Sequence, residues 1–151
     1  MSSLGKDLKG ETTSKFALTS TAVTAGGTGD ATEIDGASID TTALGVKAQS
    51  VLFSIPCRAV LGATQTLTVI GNLQDSADNS TWADINDSAT LLTLTGGSGG
   101  TTETGVARMG FDLTRARRYV RCQVTPDLNR ANTDTAVIGA GVATFGGLQT
   151  A

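Results

Sequence analysis

The sequence predicts an all-β domain, an antiparallel β-sandwich of the jelly-roll or a related Greek-key type, with an extended N-terminal arm. Glycine occurs 19 times and only 17% of the 151 residues are charged, a composition typical of short strands joined by glycine turns. About eight segments with strand patterning follow one another at regular spacing, without helical segments between them. Residues 66–85 add a strand, a polar turn and a second strand, which predicts a hairpin.

The first 15 residues are polar and show no clear periodicity, so residues 1–15 are predicted to form the arm and residues 16–151 a single sandwich domain. The arm carries Lys6 and Lys9. Such an arm either becomes ordered on a neighbouring subunit or stays an untethered tail, and the sequence leaves both open.

The strands of the domain are separated by turn residues. Glycine-rich loops are expected at 25–30 and 96–100. Pro56 has no backbone N–H, so its strand is expected to be an edge strand or to be bulged there. We predict strands over 16–24, 33–40, 50–60, 64–74, 81–85, 89–95, 102–113, 119–125 and 135–145.

The hairpin 66–85 shows the clearest alternation. Every second residue from Leu67 to Leu73 is expected to face the core, and the polar cluster 75–80 to form the turn. Trp82, the only tryptophan, is predicted to be buried as a core anchor.

No pattern typical of catalysis or of metal binding is found. The absence of histidine removes the commonest general base and the commonest neutral metal ligand. The aspartates at positions 75, 78, 84 and 87 match no calcium-loop spacing and are interpreted as turn residues. The glycine loops lack the lysine and threonine of a phosphate-binding loop. We therefore predict no enzyme activity, no catalytic residue, no metal and no cofactor.

The two cysteines, Cys57 and Cys122, lie in apolar strand patterns. Buried free thiols are the favoured interpretation in a reducing compartment, although the spacing alone leaves a disulfide open.

The net charge of −3 argues against a sequence-independent nucleic-acid binder, which needs a positive field. No secretory leader and no apolar segment long enough to span a membrane is recognised, so we expect synthesis in the cytoplasm and no membrane partner.

The segment 114–126 concentrates arginine. Val120, Cys122 and Val124 are expected to face the core, with the intervening side chains pointing the other way. The arginines either cover a solvated strand face or form a contact surface, since arginine is enriched where proteins meet. The candidate contact residues are Lys6, Lys9, Arg115, Arg117, Arg118 and Arg121.

Three segments in order, LQDSADNSTWADI, FDLTRARRYVRCQVTPDL and TDTAVIGAGVATFGG, resemble the head decoration, or capsid cement, proteins of tailed bacteriophages. The resemblance covers roughly residues 50 to 147. It implies a sandwich domain that forms homo-oligomers, dimers or trimers, and binds the major capsid protein on the outside of the virion. No catalytic motif is transferred by it.

Two alternatives accompany this hypothesis. A tail or baseplate component would be equally rich in β-structure. A carbohydrate-binding sandwich module would need exposed aromatic side chains, of which this chain has few.

Overall fold

Alternating buried and exposed side chains build two antiparallel sheets that pack their apolar faces together. The computed structural model describes residues 8–45, 47–131 and 133–147. Its elements in chain order are α1 (Leu8–Glu11), β1 (Thr13–Leu18), β2 (Thr21–Thr24), β3 (Ile34–Asp35), β4 (Ile39–Asp40), a 3-10 helix (Thr41–Leu44), β5 (Ser50–Leu61), β6 (Thr66–Ser76), β7 (Ala83–Asp84), β8 (Ala89–Thr95), β9 (Thr101–Asp112), β10 (Tyr119–Leu128), β11 (Thr135–Ile138) and β12 (Gly141–Gly146).

The pairing of these strands is that of a jelly roll. Sheet 1 contains β1, β2, β5, β9, β11 and β12, and sheet 2 contains β3, β4, β6, β7, β8 and β10. Four pairs of consecutive strands each lie in line along one side of a neighbouring strand, so each pair counts as one interrupted strand. These pairs are β1–β2, β3–β4, β7–β8 and β11–β12.

Eight strands then remain, and the first pairs with the last, the second with the seventh, the third with the sixth and the fourth with the fifth. This is a long hairpin wound into two four-stranded sheets. The predicted fold class is confirmed.

The core lies between the sheets and is built from the inward side chains of the long strands. On β6 the predicted alternation is confirmed, because Leu67, Val69 and Leu73 are fully buried. Val120 and Val124 on β10 are equally buried, as the arginine-rich segment predicted. The largest buried side chains from sheet 1 are Phe53, Phe145, Leu18, Ile55, Leu61 and Ile138.

Pro56 lies in a central strand, so the prediction of an edge strand is wrong. Strand β5 pairs with β9 along its whole length and with β12 and β11 on its other side. Pro56 lies opposite the break between β11 and β12, where its carbonyl accepts a hydrogen bond from the N–H of Gly139. The missing N–H of proline therefore faces an interruption of the partner strand, and no ladder bond is lost.

At the N-terminus, Lys6 and the other residues before Leu8 lie outside the described residues. Helix α1 is followed by β1, whose residues from Thr13 pair with β12 at the edge of sheet 1. Part of the predicted arm thus belongs to the sheet. Within the described ranges, no helix is long and apolar enough to cross a lipid bilayer.

Candidate interaction surface

One end of the sandwich gathers half of the predicted contact residues. We call it the arginine end and define it as residues 40–45, 47–49 and 112–118. It lies where β4, β6 and β9 end and where β10 begins. The turn before β10 is closed by a hydrogen bond from the N–H of Ala116 to the carbonyl of Leu113. Leu113 is buried and fastens the loop to the core.

Arg117 binds Asp75, the penultimate residue of β6. Its Nη2 and Nε lie 2.6 and 2.9 Å from Asp75 Oδ1, and its backbone N–H donates to Asp75 Oδ2 at 2.9 Å. Nη2 also donates to the carbonyl oxygen of Asp75 at 3.0 Å. Asp75 is only 7% exposed. The pair therefore connects the turn rigidly to sheet 2.

The charge state of Asp75 follows from two opposing effects. Burial raises the pKa of this carboxyl, whereas the hydrogen bonds and the positive charge of Arg117 lower it, and together they lower it below its usual value. Asp75 is thus an ion-paired strand residue. Its interpretation as a turn residue is wrong, since strand β6 extends one residue beyond it.

Arg118 makes a second connection across the same end. Its Nη2 and Nε donate to the two carboxylate oxygens of Asp40 at 2.8 and 3.0 Å. Asp40 also caps the 3-10 helix by accepting from the N–H of Thr42, and the Arg118 carbonyl accepts from Thr41. The Arg118 hydrogen bond, followed by that of Thr42, holds the pKa of Asp40 well below its usual range.

Arg121 lies on the outer face of sheet 2, where its guanidinium stacks on the ring of Trp82. Its Nε and Nη2 donate to Gln74 Oε1 at 2.9 and 2.8 Å, and its Cζ lies 4.4 Å from the centre of the Trp82 ring. Trp82 is half-buried and lies outside the core cluster. The prediction of a core anchor is wrong, because the turn carries Trp82 past the end of β6 and onto the outer surface.

Arg115 differs from the other three arginines. It is exposed and makes no hydrogen bond or ion pair with any residue that the structure describes. Its charge contributes to lowering the pKa of Asp112, after the hydrogen bonds from Thr114. Lys47, which the sequence analysis did not select, is exposed at the same end. These two cations are therefore available to a partner.

Two recesses lie at the arginine end, and Thr114 lines both of them. One, of about 540 Å³, is lined by Lys47, Ala48, Leu113 and Arg117 among others. The second, of about 840 Å³, is lined by Leu8 of helix α1 and by Thr114 among others, so the helix that carries the exposed Lys9 borders a recess next to the arginine end. The structure thus brings together Arg115, Arg117 and Arg118 in one loop.

The other aspartates of the hairpin stabilise turns and strands. Asp78 accepts hydrogen bonds from the N–H groups of Ser80 and Thr81 and from the Ser76 hydroxyl. These bonds lower its pKa from 3.8 to about 2. Asp84 accepts from Asn72 and Gln74. Across the described residues, no group of acidic or cysteine side chains is arranged to hold a metal ion.

Both cysteines are free and buried. Burial raises the pKa of Cys57 to about 11 and that of Cys122 to about 12. The interpretation as buried free thiols is confirmed.

The outer face of sheet 2 carries an acidic network that the sequence analysis missed. Gln123 donates to Glu33 and Asp35 at 2.9 and 2.6 Å, and accepts from Asn72 at 3.2 Å. Asn72 and Gln123 are only 3% and 6% exposed, although they point away from the core. Asn72 and Gln123 lie directly opposite each other in the β6–β10 register. The sequence does not predict this network, because sequence spacing does not show which residues pair across a sheet.

The outer face of sheet 1 is apolar by contrast. Phe16 on β1 pairs with Val142 on β12, and Val106 on β9 pairs with Pro56 on β5. The exposed fractions of Phe16, Val106 and Val142 are 56%, 48% and 41%. The alternation along each strand predicts which residues point outward. It does not show that outward residues of different strands meet on one face.

No protein-family model matches the sequence, and no curated protein matches it. Solved structures with a similar arrangement include the particle of infectious bursal disease virus strain Gx, at 8% identity and a TM-score of 0.48 over 90% of this chain and 33% of that chain. The exported protein XepA of PBSX gives 17% identity and a TM-score of 0.40 over 92% and 38%.

A further similar structure is the C-terminal family 22 carbohydrate-binding module of Clostridium thermocellum Xyn10B, at 11% identity and a TM-score of 0.40 over 97% and 89%. The chain spans about a third of the length of the virus protein and of XepA. At these identities and TM-scores the similarities assign neither a family nor a function.

Proposed function

We propose that this chain is a structural protein of a tailed-phage virion, which binds the outside of an assembled capsid and stabilises it as a decoration, or cement, protein. Its partners are the major capsid protein and further copies of itself, and it acts after synthesis in the host bacterial cytoplasm. The observation that carries the proposal is the arginine end, a loop surface with two exposed cations, Arg115 and Lys47, that have no ion-pair partner among the described residues. The resemblance of the sequence to decoration proteins supports the same function.

The contacts of the arginine end support a binding role. Two ion pairs, Arg117 with Asp75 and Arg118 with Asp40, hold the loop 112–118 against sheet 2. Loops that are ordered before binding lose little conformational entropy when a partner is bound. Arg115 and Lys47 then present their charges from a fixed frame, and arginine binds carboxylates with two parallel hydrogen bonds.

A small domain with a modest contact surface is suited to a capsid. Each copy contributes weak contacts, but a shell presents the same site many times, and linked copies bind with much higher avidity than one copy alone. The symmetry of the shell sets the number of equivalent sites, and therefore the number of copies that bind. High affinity of a single copy is therefore not required.

Co-sedimentation tests this function. Purified protein is mixed with expanded heads of a tailed phage, and separately with unassembled subunits of the same major capsid protein. We expect the protein to sediment with heads and not to bind free subunits. Binding to neither would contradict the proposal.

Charge reversal locates the surface. The double variant Lys47→Glu/Arg115→Glu is expected to lose head binding at a melting temperature close to that of the wild type. Arg130→Glu is the matched control, because Arg130 is exposed in the loop at the opposite end of the sandwich. Equal loss in both variants would contradict a specific role of the arginine end.

A further inference from the structure

The two outer faces of the sandwich carry opposite charge. On sheet 1, the charged residues at outward strand positions are Arg58, Arg108 and Asp112, and neither arginine has an ion-pair partner among the described residues. Asp112 lies at the end of β9 and accepts a hydrogen bond from the N–H of Thr114. The centre of this face is therefore positive.

On sheet 2, carboxylates outnumber cations. Glu33 and Asp35 flank Gln123, Asp84 binds Gln74, and Asp127 is exposed on β10. Arg121, with Nη1 3.6 Å from Asp35, is the cation among them, while Asp40 and Arg118 neutralise each other. The outer face of sheet 2 is therefore negative.

Each face also carries an apolar feature near its centre. The interruption opposite Pro56 leaves a shallow apolar recess of about 520 Å³ at the middle of sheet 1, lined by Pro56, Val106, Val137 and Arg58 among others. Sheet 2 presents Ile70, 37% exposed, from the middle of β6. An apolar side chain opposite an apolar recess would give such an interface a centre from which water is excluded.

We propose that the outer face of sheet 1 of one copy packs on the outer face of sheet 2 of a second copy, with Arg58 and Arg108 facing its carboxylates. A face of four strands, about 4.8 Å apart and about 10 residues long, covers roughly 630 Å². This lies at the lower end of the about 600–1,000 Å² per partner of a standard interface. A pairing of two sheet 1 faces would instead bring four arginines together without a carboxylate at the centre.

Such an interface joins different surfaces of the two copies, so each added copy exposes the face that the next copy needs. The contact then extends into a row or closes into a ring. It does not involve the arginine end, and the inference is independent of capsid binding.

Sedimentation velocity of the full chain without capsid tests the inference. We expect the mean mass of the wild type to rise with protein concentration and to fall with added salt, since salt screens the charges. Wild-type protein that stays monomeric at every concentration and at low salt would overturn it.

Two folded variants define the faces. Arg58→Glu/Arg108→Glu alters only sheet 1, and Ile70→Lys/Asp127→Lys alters only sheet 2. Each alone is expected to associate at least about tenfold more weakly than the wild type, because like charges then meet. An equimolar mixture is expected to regain association, since one variant retains sheet 2 and the other retains sheet 1.

Other results would overturn the proposal. A mixture that remains monomeric excludes the pairing of sheet 1 with sheet 2. Loss of association in the sheet 1 variant alone, with the sheet 2 variant behaving like the wild type, would show that two sheet 1 faces pair instead. Circular dichroism and melting curves confirm that both variants are folded. Binding to heads is measured separately, so failure of either proposal is seen independently.

Discussion

Arg117 and Asp75 form the central ion pair of the arginine end, with Nη2 2.6 Å from Oδ1 and the backbone N–H of Arg117 bound to the other carboxylate oxygen. The pair connects the turn before β10 to the end of β6. Strands β6 and β10 are already neighbours in sheet 2. The arginine that the sequence marked as a contact residue thus has an internal structural role.

The first prediction concerns the stability of this pair. Arg117→Ala leaves the nearly buried Asp75 carboxylate without its charged donors, so we expect the melting temperature to fall by about 4–8 °C. Arg115→Ala is the matched control, because Arg115 has no such bond, and its expected change is within about 1 °C. Calorimetry of both variants at pH 7 measures the difference. Equal changes would show that the pair adds nothing to stability.

The second prediction concerns pH. In the folded protein the pKa of Asp78 is lowered from 3.8 to about 2, and the pKa values of Asp75 and Asp40 are lowered too. The unfolded chain therefore binds more protons than the folded protein, and stability must fall as the pH falls. We expect an almost constant melting temperature from pH 7 to about 5 and a steep decrease below about pH 4.

Asp78→Asn provides the control for this decrease. The asparagine oxygen still accepts hydrogen bonds from the turn but does not titrate. The melting temperature of this variant is expected to decrease less between about pH 4 and 2 than that of the wild type. Parallel curves for both proteins would contradict the assigned role of Asp78.

The third prediction uses Trp82, the only tryptophan, as a fluorescent reporter. Arg121 covers one face of its ring, so Arg121→Ala is expected to raise the acrylamide quenching constant by up to about twofold and to shift emission to longer wavelength. Arg118→Ala is the control, because Arg118 stacks on Tyr119 at 5.0 Å instead. Unchanged quenching in Arg121→Ala would show that the stacking is absent in solution.

The fourth prediction concerns Gly36, which lies where β1 of sheet 1 approaches β10 of sheet 2. A Cβ atom at this position would lie 2.7 Å from the carbonyl oxygens of both Ala17 and Cys122. Gly36→Ala is expected to lower the free energy of unfolding by about 1–3 kcal/mol, because backbone must move. Urea denaturation measures this change.

Gly110→Ala is the matched control for that measurement. Gly110 lies on the outer face of β9, where a Cβ atom would meet its nearest neighbour at 3.7 Å. Its replacement is expected to leave stability unchanged or to raise it by up to about 1 kcal/mol. If Gly36→Ala left the free energy of unfolding unchanged as well, the close backbone contacts would not explain why glycine stands at this position.

Local patterning explains why much of the fold was predictable. Along β6 and β10 the inward residues alternate with outward ones, and strand geometry converts that period directly into a buried face. Glycine and aspartate turns mark the strand ends, as at Asp78. Strand number and class follow from such signals, and eight antiparallel strands without helices leave a sandwich as the simplest arrangement.

Pairing between distant segments was decided only by the tertiary structure. The sequence marked four arginines as candidates, but only the fold places Asp75 and Asp40 beside two of them and leaves Arg115 without an ion-pair partner among the described residues. It also moves Trp82 from the expected core to the surface above Arg121, and it gathers opposite charges on the two outer faces. Period and turn chemistry act within a few residues, whereas ion pairs and surface patches depend on strand register, which is set by the packing of the whole chain.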